Sequence, residues 1–139
     1  MKKFLLALSV FGLLLSSASA DEGSVKEPEA LLKKVATRYV PSGIARTLWF
    51  LYGAHVDCSA WDSIEVRTIK EPEHGTVEIA PGEGFGQFAN GSKCNGKKMS
   101  GVNVNYKSSG GYLGPDEFDL LVLWPNGFAW EMHFNMLVR

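Results

Sequence analysis

Three histidines, His55, His74 and His133, are the side chains of this sequence that can exchange a proton near neutral pH. They lie far apart, and none has a second histidine at the H-x-x-x-H spacing of a helical metal site. His74 sits in a Pro-Glu-His-Gly turn, where a histidine serves mainly to hydrogen-bond backbone. His133 follows Glu131 by two residues, so on a strand the two share a face and read as a surface pair. Ser59, Ser108 and Ser109 offer hydroxyls, but there is no G-x-S-x-G elbow and no Ser/His/Asp order that would activate one. Asp116, Glu117 and Asp119 are hard oxygen donors of the kind calcium takes, without the D-x-D-x-D-G loop that gathers such donors around an ion. Paired carboxylates for glycoside hydrolysis would also need a sugar-sized cleft between them, which sequence cannot show. The residues therefore define no catalytic set, no cofactor motif and no metal-ligand set. Asn90-Gly91-Ser92 has the form of a glycosylation acceptor and reads as a plain loop.

Cysteine chemistry depends on compartment. Lys2 and Lys3, the apolar run 4–15 and the small-x-small ending Ala18-Ser19-Ala20 have the three-part layout of a bacterial signal peptide, cleaved before Asp21. The apolar run is too short for a membrane anchor. Removing residues 1–20 takes Lys2 and Lys3 away, so the 14 Lys and Arg fall to 12 against 15 Asp and Glu, a net charge of about −3. An acidic domain without a basic patch argues against nucleic acid as a partner, and no later apolar run is long enough to span a bilayer. In an exported chain the two cysteines, Cys58 and Cys94, are expected to form a disulfide. Free thiols or a share in a metal site are the alternatives, and neither cysteine has a C-x-x-C partner.

The elements that would position these residues are mostly strands. Residues 21–27 read as a polar tail. Over 28–39 the spacing of Leu31, Leu32, Val35 and Tyr39 predicts a short amphipathic helix, with Pro28 in its first turn and Lys33, Lys34 and Arg38 towards its end. Pro41-Ser42-Gly43 closes that segment. Further on, 47–56, 64–69, 76–79 and 102–106 read as strands, and the glycine-dense stretch 81–101 reads as loop with at most a brief strand at 85–88. The clearest signal is a C-terminal hairpin: Phe118, Leu120, Val122 and Trp124 alternate, Pro125-Asn126-Gly127 turns the chain, and Phe128, Trp130, Met132, Phe134, Met136 and Val138 alternate back. So large an apolar face needs a second sheet to cover it.

Two stretches resemble bacterial immunoglobulin-like, cadherin-like repeat domains. Pro72-Glu73-His74-Gly75-Thr76-Val77 is similar to their P-x-H-G-T-V segment, and Tyr106, Gly111, Tyr112, Gly114, Asp116 and Phe118 fall in order on their Y-x-P-x-x-G-Y-x-G-x-D-x-F segment. The resemblance covers about residues 64–139. Ser108 stands where the family usually has proline, the span from Val77 to Tyr106 is long and contains Cys94, and a single copy is present where the family has tandem repeats. The resemblance implies an all-β, immunoglobulin-like antiparallel β-sandwich over 44–139, preceded by the leader (1–20) and by the tail and helix (21–43). The motif residues also have a local reading: Gly111 and Gly114 suit turns, and Asp116 can accept backbone N–H groups.

The expectation that follows is an exported, non-enzymatic binding module of the envelope or secretome, with a protein or glycan partner and an undetermined oligomeric state. Trp61 and Phe128, both near expected turns, are candidates for an exposed binding patch. The alternatives are a small periplasmic hydrolase, and a hydrolase inhibitor presenting the 108–112 loop. A structural subunit packing through an edge strand is a third reading.

Overall fold

A computed structural model describes residues 31–139. The expected leader, the polar tail and residues 28–30 of the expected helix lie outside the described residues. Seven strands follow in chain order: β1 (Leu31–Val40), β2 (Arg46–Leu51), β3 (Glu65–Lys70), β4 (Gly75–Phe85), β5 (Lys98–Ser108), β6 (Gly114–Leu123) and β7 (Ala129–Val138). They form a four-stranded sheet, β1-β7-β6-β3, and a three-stranded sheet, β2-β5-β4. No helix among the described residues is long and apolar enough to cross a membrane.

The two sheets enclose one core. Val104, Tyr106, Phe118, Leu120, Val122, Met132, Phe134 and Met136 are all at most 1 % exposed. They come from alternate positions of β5, β6 and β7, as the period of two requires. Phe118 stacks between Tyr106 of the opposite sheet and Phe134 of its neighbour strand, at centroid distances of 5.9 and 4.7 Å. Trp49 meets Phe134 edge-on from β2. The expected C-terminal hairpin is present as β6 and β7, with Gly127 in the left-handed region (φ 87°) that the Asn-Gly turn anticipates. Phe128 does not join the core face of β7: it precedes the strand and is 49 % exposed.

Residues 31–39 are not a helix. They belong to β1, which pairs with β7 in parallel over its whole length, so the fold is not purely antiparallel. Leu31, Leu32, Val35 and Tyr39, the proposed apolar helix face, are all exposed. The side that turns inward carries Ala36 and Val40, both buried, together with Lys34 and Arg38. Those two cations hid the strand period. Their charges sit over aromatic rings instead of in the core: Lys34 Nζ is 4.4 Å from the Trp130 ring centre and the Arg38 guanidinium carbon 5.2 Å from that of Trp49.

The glycine-dense stretch is also more ordered than its composition suggests. β4 runs on to Phe85 and β5 starts at Lys98, so only 86–97 is connecting loop. The glycines inside the ladder are there for neighbours. A Cβ at Gly84 would fall 2.7 Å from the Phe50 ring, and one at Gly82 would strike the Asn103 side chain. Pro81 is tolerated because β4 is an edge strand.

Candidate functional site

The alternation of the strands decides where the chemistry-bearing side chains go. Asp116 faces the interior and is 7 % exposed, whereas Glu117 and Asp119 have alternation or register that turns them to the outer face of the four-stranded sheet. The three carboxylates therefore cannot converge on one cation. Each already has partners. Asp116 Oδ1 accepts the backbone N–H of Glu73 and of Glu117, both at 3.0 Å; its Oδ2 accepts the His74 N–H at 3.1 Å and the Tyr106 hydroxyl at 2.7 Å. Burial, and then the bond to Asp116, push the Tyr106 phenol far above its ordinary pKa. Glu117 pairs with Lys70, and Asp119 bonds His133. No cluster of three or more metal-ligating side chains is present among the described residues.

Of the residues in the two matched motifs, His74, Gly75, Tyr106, Tyr112, Gly114 and Phe118 gather with Asp116 at the end of the molecule that holds the 71–74 and 109–113 connections. The His74 ring stacks on Tyr112 at 4.0 Å, and Tyr112 donates its hydroxyl to the Pro115 carbonyl. Gly75 pairs with Ser108, and a Cβ there would lie 2.6 Å from the Tyr106 ring. Gly111 and Gly114 take φ of 81° and 134°, the conformations that favour glycine. Phe118 carries the cluster into the core. These residues tie the two sheets together at this end, where His74 and Asp116 also line a hollow of about 390 Å³ with Lys70, Glu73 and Glu117.

The remaining candidates separate in the same way. His133 Nδ1 is 2.5 Å from Asp119 Oδ1 and its Nε2 is 3.1 Å from Asn135 Oδ1, so both ring nitrogens are occupied and neither can activate a hydroxyl. The Asp119 bond, its first cause, raises the His133 pKa. Its carboxylate neighbours are Asp119 and Glu117; Glu131, the expected companion, pairs with Lys33. Ser59 donates to Asp57, whose pKa that bond lowers, and not to His55. Ser108 is 2 % exposed and accepts the Gly43 N–H, so only the tip of the 108–112 loop reaches solvent.

The opposite end is built differently. Three connections, 52–64, 86–97 and 124–128, leave the sheets there. Cys58 and Cys94 form the expected disulfide between the first two, with Cα atoms 5.3 Å apart. Cys58 has a positive φ of 70°, and Cys94 is buried. Around this staple six aromatic side chains converge. Trp124 sits between Trp61 and Trp130, at centroid distances of 5.9 and 4.6 Å and steep angles to both. Tyr52 meets Phe88 edge-on at 5.4 Å and is fixed by Gln87, which receives its hydroxyl proton at the carbonyl and donates an N–H to its oxygen. Phe128 stands at the rim beside Asn126, whose side chain accepts the Phe128 N–H. Trp61 lies flat on the chain because Gly53 has no side chain: its ring occupies the place of a Cβ there, and the Trp61 backbone N–H donates to the Gly53 carbonyl.

These rings line two adjoining hollows of about 300 and 250 Å³ that share Tyr52, Phe88, Trp124 and Trp130. No Asp, Glu, Lys, Arg or His lines either one. A hollow of about 450 Å³ runs along the seam between β3 and β4, lined by Val66, Ile79 and Pro81 with Val102 of β5 and with Trp61 and Asp62 at its margin. Size alone does not make it a site. Trp61 and Phe128 were legible as patch candidates; Tyr52, Phe88, Trp124 and Trp130 were not, because nothing in their spacing shows that they meet at one end. No family model matches the chain, and neither a curated protein nor a solved structure matches it.

Proposed function

We propose that this chain is an exported, non-enzymatic binding module that takes its ligand in the aromatic cleft at the disulfide-stapled end. The observation that carries the proposal is the convergence of six aromatic side chains, five from three separate connections and Trp130 from the start of β7, into one uncharged concavity. Cores bury aromatic rings; here Phe128 is half exposed, and Tyr52, Trp61, Phe88 and Trp130 stay partly open to solvent. A scaffold of packed sheets with recognition residues on its connecting loops is a common way to build a binding site. The disulfide fixes the two longest of these connections relative to each other, which lowers the entropic cost of holding the rings apart for a ligand.

The same reading makes the domain a single immunoglobulin-like module. Support comes from the two-sheet arrangement and from the way the motif residues tie both sheets at Asp116. Export is supported by the signal-like leader together with the disulfide. The hydrolase alternative draws no support from His133, whose nitrogens are both engaged. The inhibitor alternative needs a protruding 108–112 loop, and Ser108 is anchored in the interior.

The test is retention of envelope or culture-medium components on immobilised protein lacking residues 1–20, compared with Phe128→Ala. Components held by the wild type and lost with Phe128→Ala place recognition at the cleft. Equal retention by both proteins removes the cleft from the account.

A further inference from the structure

Resting on the reading of the cleft as the binding site, we infer that its ligand is a neutral oligosaccharide. Both signs of charge are disfavoured. The aromatic faces carry negative quadrupole density, which repels an anion, and the Lys34 ammonium beside Trp130 lines neither hollow. A cation would be drawn to those faces, but Trp130 already has the Lys34 ammonium 4.4 Å from its ring centre, and a second positive charge would meet it. With no ionised side chain lining either hollow, an ionic ligand would be stripped of water without a counter-charge in the cleft walls.

A purely apolar ligand fits no better. The indole N–H of Trp124, a ring that lines both hollows and is 9 % exposed, is buried without an acceptor. A buried donor left unmade is costly, so a small turn of this ring that brings the N–H to the cleft surface would be favoured by a ligand carrying an acceptor and not by an apolar one. Asn126 spends its carbonyl oxygen on the Phe128 N–H, which leaves its amide N–H groups free of that bond and able to donate. A pyranose answers both requirements. Its apolar C–H faces stack on aromatic rings, while its equatorial hydroxyls accept from N–H donors in the plane of the ring. Two adjoining hollows sharing four side chains suit consecutive sugar units better than a single one.

The experiment is a titration of the disulfide-intact protein lacking residues 1–20, labelled with ¹⁵N and read at the four indole N–H signals and the His133 ring signals. The probes are chitohexaose, cellohexaose and maltohexaose, with oligogalacturonate as the anionic arm and a proline-rich decapeptide as the peptide arm. We expect at least one neutral hexasaccharide to shift the Trp61, Trp124 and Trp130 indoles saturably and to leave the His133 ring signals unmoved. Phe128→Ala should weaken that binding about tenfold or more, and Phe128→Tyr, which keeps the ring, should restore it. Thermal melting of both variants checks that the fold is kept. Absence of any saturable shift with the neutral sugars at millimolar concentration overturns the inference, as does binding that Phe128→Ala leaves unchanged. If the peptide or oligogalacturonate moves these indoles and no neutral sugar does, the sugar inference fails while the cleft remains the site. If no probe moves them and retention of native components is also insensitive to Phe128→Ala, both fall.

Discussion

Replacing Asp116 with alanine removes the acceptor for four donors at once: the N–H groups of Glu73, His74 and Glu117 and the hydroxyl of Tyr106. Tyr106 is 1 % exposed, so water cannot reach its hydroxyl without disturbing the core, while the exposed Glu73 and Glu117 can turn their N–H groups partly to solvent. Counting the Tyr106 and His74 donors at 1–3 kcal/mol each as buried groups left unmet, and the other two as largely rehydrated, the substitution should cost about 3–5 kcal/mol. In a domain of this size that corresponds to a fall in melting temperature of roughly 10–30 °C. The assay is urea and thermal unfolding of Asp116→Ala, Tyr106→Phe and the double variant, followed by circular dichroism and tryptophan fluorescence. Tyr106→Phe alone removes one of four bonds and should cost about 1–2 kcal/mol. The double variant should then cost clearly less than the two single losses added together, because once the carboxylate is gone the phenol has nothing to bond. A cost for Asp116→Ala below about 1 kcal/mol, or strict additivity of the two changes, refutes the assignment of Asp116 as the tie between the sheets.

Three further outcomes follow from other parts of the molecule. Replacing Cys58 and Cys94 by serine opens a loop with a sequence separation of 36 and should cost about 4 kcal/mol by chain entropy, measured by urea unfolding against the oxidised protein; an unchanged midpoint contradicts the staple's role. His133 has a raised pKa in the fold because of Asp119, so its pairing stabilises the fold fully below the unfolded value of about 6.5 and is lost as pH rises through the folded value. Asp119→Asn should therefore lower the His133 titration midpoint seen by NMR and reduce the loss of stability on going from acid to mildly alkaline pH; a midpoint that does not move places the cause elsewhere. On β1, Val35→Asp should change stability by less than about 0.5 kcal/mol, because Val35 is 71 % exposed, whereas Ala36→Asp should cost about 3 kcal/mol or more by burying an unpaired charge. The reverse ranking would favour a helix with Val35 on its apolar face.

What could be read from the residues depended on whether period and environment agreed. On β6 and β7 every second side chain from Phe118 to Val138 is apolar and the turn is Asn-Gly, so pattern, turn chemistry and burial all point to the same hairpin. On β1 they conflict. Lys34 and Arg38 occupy inward positions by stacking on Trp130 and Trp49, and that compensation belongs to other strands distant in sequence. With the inward period masked, exposed Leu31, Val35 and Tyr39 mimicked a helical stripe. The length of β4 and β5 was hidden for a related reason: Gly82, Gly84 and Gly101 look like loop residues until Phe50, Leu51 and Asn103 are seen against them. The disulfide followed from compartment and count. The aromatic cleft did not, because tryptophans 61, 124 and 130 look like ordinary core residues until the connections bring them to one end.

The central claim, that the stapled aromatic end is where this protein binds, is tested most directly by mapping indole shifts in the presence of glycans and peptides extracted from the native envelope and medium. The account predicts that fractions which bind will move the indole N–H signals of Trp61, Trp124 and Trp130 together, with the His133 ring signals unchanged. Binding that moves His133 and leaves those three indoles still would contradict it and shift the site to the outer face of the four-stranded sheet.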